Sequence, residues 1–398
     1  MRQLLISAAL FLTCSLWGDL SEGFNRTGMF LYYLMERNEN TVISPLAINA
    51  SLLTTYVGAK GTTATEIKKG LNLTLSQEEA GPAYQALVGK LMQGAQKLRV
   101  GNSLWVPVGT NVLSSYKSVI KKDFEGEIRN INFERPGAAV GEINQWVYDR
   151  SYQKIAHFLS PSEIPRSAKM LLLNSLFIVG NWESPFPTQN TGSRPFQTAG
   201  GETIQCPMMK QIAPLYYFED EKSQIVALPL ENINARLAFV LFLPKEKGEL
   251  YNFFYAQDEK APEDFLAYLN KLQKRSIELT LPKFIISHKL NLTPLLQTLG
   301  IRDALTKEAD FLGIDGKKDL RISKAFHESV LSIDEGGIFA TAAPSSAFSL
   351  EKEAADLSVE VNRPFLYAIY DFDSKLLLTL GECLNPTQTG IMEVLKKP

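Results

Sequence analysis

Apolar residues recur along this chain at two spacings, and the balance between them shifts near the midpoint. The helical repeat dominates early. Phe24, Phe30, Leu31 and Leu34 fall on one helical face, as do Ala83, Leu87, Leu91 and Ala95, and later Ile143, Trp146 and Val147 with Arg150. In NTVISPLAIN (40–49) Ser44 offers a hydroxyl to free helix amides and Pro45 suits the first helical position, which predicts a helix ending near Gly58. Thr63 to Glu66, TATE, has capping-box spacing and predicts a short helix ending about Gly70.

Strand signals take over in the second half. Asn102 to Val106 reads as an early strand, and Met170 to Val179 is an almost unbroken apolar run of the kind buried on both faces. Ile225 to Leu230 and Leu237 to Leu243 resemble paired strands. A helix is expected over Phe265 to Leu272, then one strand over Ile277 to Ile286, a short helix from Leu295 to Leu299, and a hairpin of Phe365–Tyr370 with Leu376–Leu380 around DFDSK. The widest gap in the pattern is Ile333 to Glu353, IDEGGIFATAAPSSAFSLEKE, between strand-like runs at Ser329–Ile333 and Leu357–Val361. Structureless connections longer than about 12–15 residues are usually functional or disordered. Gly336 and Gly337 form a hinge at its base, and mostly small residues follow. Helix-rich first and strand-rich later, without βαβ alternation or an obvious linker, the pattern predicts an α+β fold in one interdependent domain.

Composition narrows the function. The 398 residues are 45% hydrophobic, and 41 basic against 43 acidic side chains give a net charge of −2, so no global field favours nucleic acid or an acidic membrane surface. Residues 1–18 read as an export signal: Arg2, the apolar run Leu4–Leu12, and Gly18 before Asp19. The run is too short to span a bilayer. Cys14 offers a lipid anchor as an alternative, although Thr13 suits it poorly, and simple secretion ranks first. The remaining Cys206 and Cys383 make no disulfide framework and are expected to be buried free thiols. There is no GxSxG, GxxxxGK[ST], HExxH or paired CxxC, so no cofactor or metal is expected. Of the histidines, His157, His288 and His327, the last opens a strand-like run and reads as a hydrogen-bonded structural residue.

An ordered set of segments carries a specific resemblance. NTVISPLAI (40–48), VGAKGTTATEI (57–67), GNSLWV (101–106), LLLNSLFIVGNWESPF (171–186), LPKF (281–284), LGIRDAL (299–305), ADFLGI (309–314), HESVLSIDEGG (327–337), VNRPFLYAI (361–369) and GECLNP (381–386) resemble the successive blocks of a serpin. The resemblance implies three β-sheets and about nine helices in one domain over 19–398. It also implies a reactive-centre loop at about 335–356 and a secreted monomer acting on a serine, alternatively a cysteine, protease. Such a protease cleaves the loop as substrate, and the freed hinge side then inserts into the main sheet while the acyl-enzyme persists. The resemblance assigns Ser44, Asn174 and His327 to a polar cluster beneath the opening sheet. It places Trp182 where insertion starts, with Glu335 and Lys283 as a charge pair there.

The loop can be read residue by residue on that expectation. Glu335, Gly336, Gly337, Ile338, Phe339, Ala340, Thr341, Ala342 and Ala343 form the hinge. Strand alternation turns Ile338, Ala340, Ala342 and Pro344 inward and Phe339, Thr341 and Ala343 outward. Pro344 lacks an amide donor and is disfavoured in a central strand, which leaves open a non-inhibitory serpin, carrier or chaperone-like, whose loop is merely cleaved. Spacing places the scissile bond within Leu350, Glu351, Lys352 and Glu353. Leu350 suits a chymotrypsin-like pocket, Lys352 a trypsin-like one, and Glu351 or Glu353 an acid-specific one, with Lys352 slightly favoured.

Overall fold

The computed structural model describes residues 2–35, 38–94, 97–151, 153–231, 236–246, 261–339 and 354–389, with the backbone alone at 2–17, 93–94, 97 and 261–264. Helix α1 (Arg2–Tyr33) leads to β1 (Thr41–Ile43), α2 (Pro45–Gly58), α3 (Gly61–Gly70) and α4 (Gln77–Gly94). Then come β2 (Lys97–Pro107), α5 (Ser114–Phe124), β3 (Glu127–Ile131), α6 (Pro136–Arg150) and β4 (Leu171–Asn181). The second half runs β5 (Gly192–Gln197), β6 (Thr203–Glu219), β7 (Ser223–Pro229), β8 (Leu237–Pro244), α7 (Ala261–Leu269), β9 (Gln273–Pro282), β10 (Phe284–Asn291), α8 (Thr293–Thr298) and α9 (Leu312–Asp315). It closes with β11 (Lys324–Ile333), β12 (Gly337–Ile338), β13 (Leu357–Glu360), β14 (Phe365–Asp371) and β15 (Leu376–Cys383). The fold is α+β, with nine α-helices among the described residues.

The strands form two hydrogen-bonded networks. One has six strands in the order β10-β11-β12-β4-β2-β3; the other has nine, β1-β15-β14-β8-β7-β6-β9-β13 with β5 attached to β6. The expected three sheets reduce to two networks because β6 is 17 residues long and serves two groups. Its first half pairs with β5 and it runs against β9, whereas Tyr216–Glu219 pairs with β7.

Local chemistry explains why the helix and strand carrying the site form. Ser44 caps α2 by accepting the Ala47 amide on Oγ at 3.0 Å, and Pro45 occupies the first turn. The two faces of β4 enter different cores. Leu172, Leu176 and Ile178 join the main one, while Leu171 and Leu173 pack with Trp105, Ile143 and Trp146 beneath α6. Both faces being covered is the physical reason for its unbroken apolar sequence.

Two expectations need correction. Thr63 and Glu66 form no capping box: α3 begins at Gly61, with Lys60 as a cap that makes no side-chain bond. Their side chains go to tertiary partners instead. Thr63 bonds the Asp303 carboxylate and accepts the Asp310 amide, and Glu66 accepts the amides of Arg302 and Asp303. The single strand expected over Ile277–Ile286 is two strands in different sheets. Pro282 has no amide to extend the ladder, and Lys283 turns its N–H to Pro207 between them.

A seam in the six-stranded sheet

The candidate site is the boundary between β11 and β4, which has two different halves. In the lower half the strands pair directly and in parallel, Lys324–Ser329 against Leu171–Leu176. Above Ser329 and Leu176 they part, and β12 sits between them. Ile338 pairs with Ile333 on one side and Gly180 on the other, and Gly337 pairs with Asn181. Ile338 is completely buried. The stretch from Ile333 to Leu357 therefore contains a strand that the sequence pattern does not announce.

Buried polar groups close the lower half. His327 is fully buried, with Nδ1 at 2.5 Å from Asn174 Oδ1. Its Nε2 accepts the Ser44 amide at 2.9 Å and lies 2.8 Å from Ser329 Oγ. With Nε2 accepting, the proton belongs on Nδ1, where Asn174 Oδ1 receives it. Asn174 Nδ2 donates to Phe326 O across the seam, and Ser44 Oγ donates to Leu378 O in the other network. Burial, reinforced by nearby His288, lowers the His327 pKa to about 3, so the imidazole is neutral. Burial likewise lowers His288 to about 4. Also on β11, the fully buried Glu328 accepts from Ser287 Oγ at 2.9 Å, and burial raises its pKa to about 8.

The upper half is set by a tight turn. Asp334 Oδ1 accepts the amides of Gly336 and Gly337 at 2.9 and 3.1 Å. Gly337 has φ +151°, and a Cβ there would lie 2.0 Å from Gly180 O, so the close approach of β12 to β4 requires glycine. Phe339 follows in a left-handed conformation, φ +48°, and its ring packs on Phe177 with centroids 4.6 Å apart. Trp182, 1% exposed, grips the turn twice: its backbone N–H donates to Gly336 O and its indole N–H to Asp334 O, both at 2.9 Å. Lys283 Nζ lies 2.6 Å from Glu335 Oε2, and Thr191 Oγ1 donates to Glu335 Oε1 at 2.8 Å. Burial pushes the Glu335 pKa up, but the Lys283 and Thr191 bonds outweigh it and the net shift is downward.

Thus Glu335 to Phe339 of the hinge, with Trp182 and Lys283, lie at the top of the seam, and Ser44, Asn174 and His327 below it. Ala340 to Ala343, Pro344 and the window Leu350 to Glu353 lie outside the described residues, as do the side chains of the N-terminal segment that includes Cys14. Sequence reasoning missed Thr191, Asp334, Gly180 and the Phe177 partner of Phe339. Two signals were available: Asp-Glu-Gly-Gly is turn chemistry, and Gly180 is a glycine closing an apolar strand, a sign of close backbone approach. Both Cys206 and Cys383 are free and buried. No helix among the described residues is long and apolar enough to cross a membrane.

An α+β scaffold whose main sheet holds the first residues of a long connection between two strands defines a class, and the comparisons agree on it. The family model described as serpin (serine protease inhibitor) matches residues 23–386. The chain belongs to the serpin family, a family of protease inhibitors rather than enzymes. It is 28% identical over 355 residues to a serine protease inhibitor of Cyanea capillata, covering 87% of this chain and 93% of that one. It is 32% identical over 364 residues to serpin A3-1 of Bos taurus, covering 89% and 85%. Among solved structures it is similar to human glycosylated kallistatin, with TM-score 0.83, 25% identity and coverage of 94% and 99%. It is also similar to human thyroxine-binding globulin complexed with thyroxine, with TM-score 0.82, 26% identity and coverage of 95% and 100%.

Proposed function

We propose that this chain is a secreted, single-domain, monomeric serpin over residues 19–398 that traps a serine protease through its loop at about 335–356. The observation that carries the reading is Ile338, buried between β11 and β4 with its backbone paired to both. A segment that starts as a strand inside the seam can extend along it. Strand alternation then brings Ala340 and Ala342, both small, into the same row as Ile338. The protease nucleophile attacks a carbonyl within Leu350–Glu353, the peptide bond breaks to give an acyl ester, and the new amine end leaves with β13. The hinge side, still esterified to the protease, extends β12 downward by displacing the direct β11–β4 pairs. Ser44, Asn174 and His327 set the resistance to that displacement. Trp182, with the Glu335–Lys283 pair, holds the starting position.

Incubation with a panel of serine and cysteine proteases, read on denaturing gels and by mass spectrometry of the released C-terminal fragment, tests the reading. An SDS-stable complex and a rise in melting temperature after loop cleavage are the expected results. Pro344 motivates the second reading, because the next inward position after Ala342 has no amide to donate. Cleavage by every protease with no complex and no gain in heat stability marks a non-inhibitory serpin. The similarity to thyroxine-binding globulin, a structure solved with thyroxine, is consistent with that alternative. The segment 1–18 supports export, with a lipid anchor at Cys14 as the competing outcome; mass spectrometry of the mature N-terminus separates them.

A further inference from the structure

Beside the edge of the six-stranded sheet lies a cavity of about 470 Å³ that the inhibitory reading does not use. Leu34 and Met35, just past α1, form one wall, Leu290 on β10 and Pro294 and Leu295 of α8 form another, and His288 and Glu39 add polar rims. Strand β10 is the terminal strand of its sheet and pairs only with β11 among the described residues. One backbone group reaches its outer edge: Ser287 N–H donates to Thr389 O at 3.0 Å. Asn40, next to Glu39, holds the same stretch of chain by donating to Asn385 O and Gln388 O. The C-terminal chain is thus delivered to the rim of the cavity, one residue along β10 from His288.

Residues 390–398, GIMEVLKKP, continue from that point. They lie past residue 386, where the family match ends. Ile391, Val394 and Leu395 stand at i, i+3 and i+4, the spacing of one apolar helical face, with Glu393, Lys396 and Lys397 on the other side. Nine residues reach at most about 30 Å, ample for a cavity that begins beside their point of departure. We propose that this tail folds back into the cavity. Ile391, Val394 and Leu395 cover Leu34, Met35, Leu290 and Leu295, and Lys396 and Lys397 lie toward Glu39. The tail is then a staple on the outer strand of the sheet whose seam must open, and this role does not depend on whether the loop inhibits a protease.

Hydrogen exchange on the full chain, a chain ending at Thr389, and Leu395→Glu tests it, with Glu393→Gln as a control on the polar side. Amides over 34–40 and 286–292 are expected to exchange roughly threefold faster or more in the first two variants and unchanged in the control. In the full chain, Met35→Cys with Leu395→Cys is expected to form a disulfide within the monomer under mild oxidant. Equal exchange in full and truncated chains overturns the proposal. Protection that rises with protein concentration alongside a dimer on sizing overturns it in favour of a second copy in the cavity. Equal uptake of an apolar dye by full and truncated chains shows an open cavity and overturns it too.

Discussion

The two halves of the β11–β4 seam are held by different physics. Below Ser329 the strands bond directly, and the buried imidazole of His327 joins them to Asn174, Ser44 and Ser329. Such a cluster is costly when broken, because each separated donor or acceptor stays desolvated. Above Ser329 the contact is one of shape: Gly337 against Gly180, and Ile338 removed from water. Burying an isoleucine side chain contributes about 2–3 kcal/mol without directional demands. One half therefore admits a strand by fit, and the other resists it by polar satisfaction. The first residues of the loop rest at the border between them.

Gly337→Val is the strongest way to break this contrast. Its Cβ meets Gly180 O, and expelling β12 is expected to lower the unfolding free energy by about 3 kcal/mol in urea titrations. Faster amide exchange should stay within 177–181 and 330–339; equal acceleration over 171–176 would show that the halves are not independent. Asn174→Ala attacks the other half, leaving the His327 Nδ1–H without its acceptor, at about 2 kcal/mol. Its exchange pattern should be the complement, centred on 171–176 and 324–329.

Acid and base sharpen the comparison further. His327 and His288 have folded pKa values of about 3 and 4, below the ordinary 6.5, so between pH 4.5 and 6.5 the unfolded chain binds an excess of protons that falls from nearly two to one. Glu328, at about 8 against an ordinary 4.5, keeps one proton when folded that the unfolded chain has lost. These three groups together make stability rise by roughly 1 kcal/mol per pH unit from 4.5 to 6.5 and fall about half as steeply from 6.5 to 8. Melting temperatures across that range should peak near pH 6.5, and His327→Gln should flatten the acid limb. Glu335→Lys has the smallest equilibrium effect, about 1 kcal/mol, because Lys283 is one-third exposed and its charge is screened. Its visible consequence is expected on warming, as polymer at the expense of monomer on size exclusion.

The sequence announces elements whose local chemistry and tertiary role coincide. Ser44-Pro45 begins a helix because the cap is satisfied within five residues, and Met170–Val179 is apolar because both faces are covered. It misleads where a side chain has a better distant partner: Thr63 and Glu66 are spaced for a cap but bond the chain at 302–310. A proline and a lysine at 282–283 mark a change of sheet that apolar periodicity passes over. The site itself was legible as a hinge with flanking residues. That Ile338 is already seated in the sheet was not, because seating depends on a carbonyl of β4 that lies more than 150 residues away in the chain.

The pairing of β1 with β15 bears on how the molecule is made. Thr41–Ile43 has its ladder partners at Leu380–Glu382, so β1 finds its neighbour only after more than 300 further residues have been made. The hairpin of β14 and β15 is also the link between β1 and β8. Until it arrives, the nine-stranded network stands with two unpaired edges, the condition in which nascent chains aggregate. Closure of the nine-stranded network therefore waits on a hairpin that lies more than 300 residues downstream of β1.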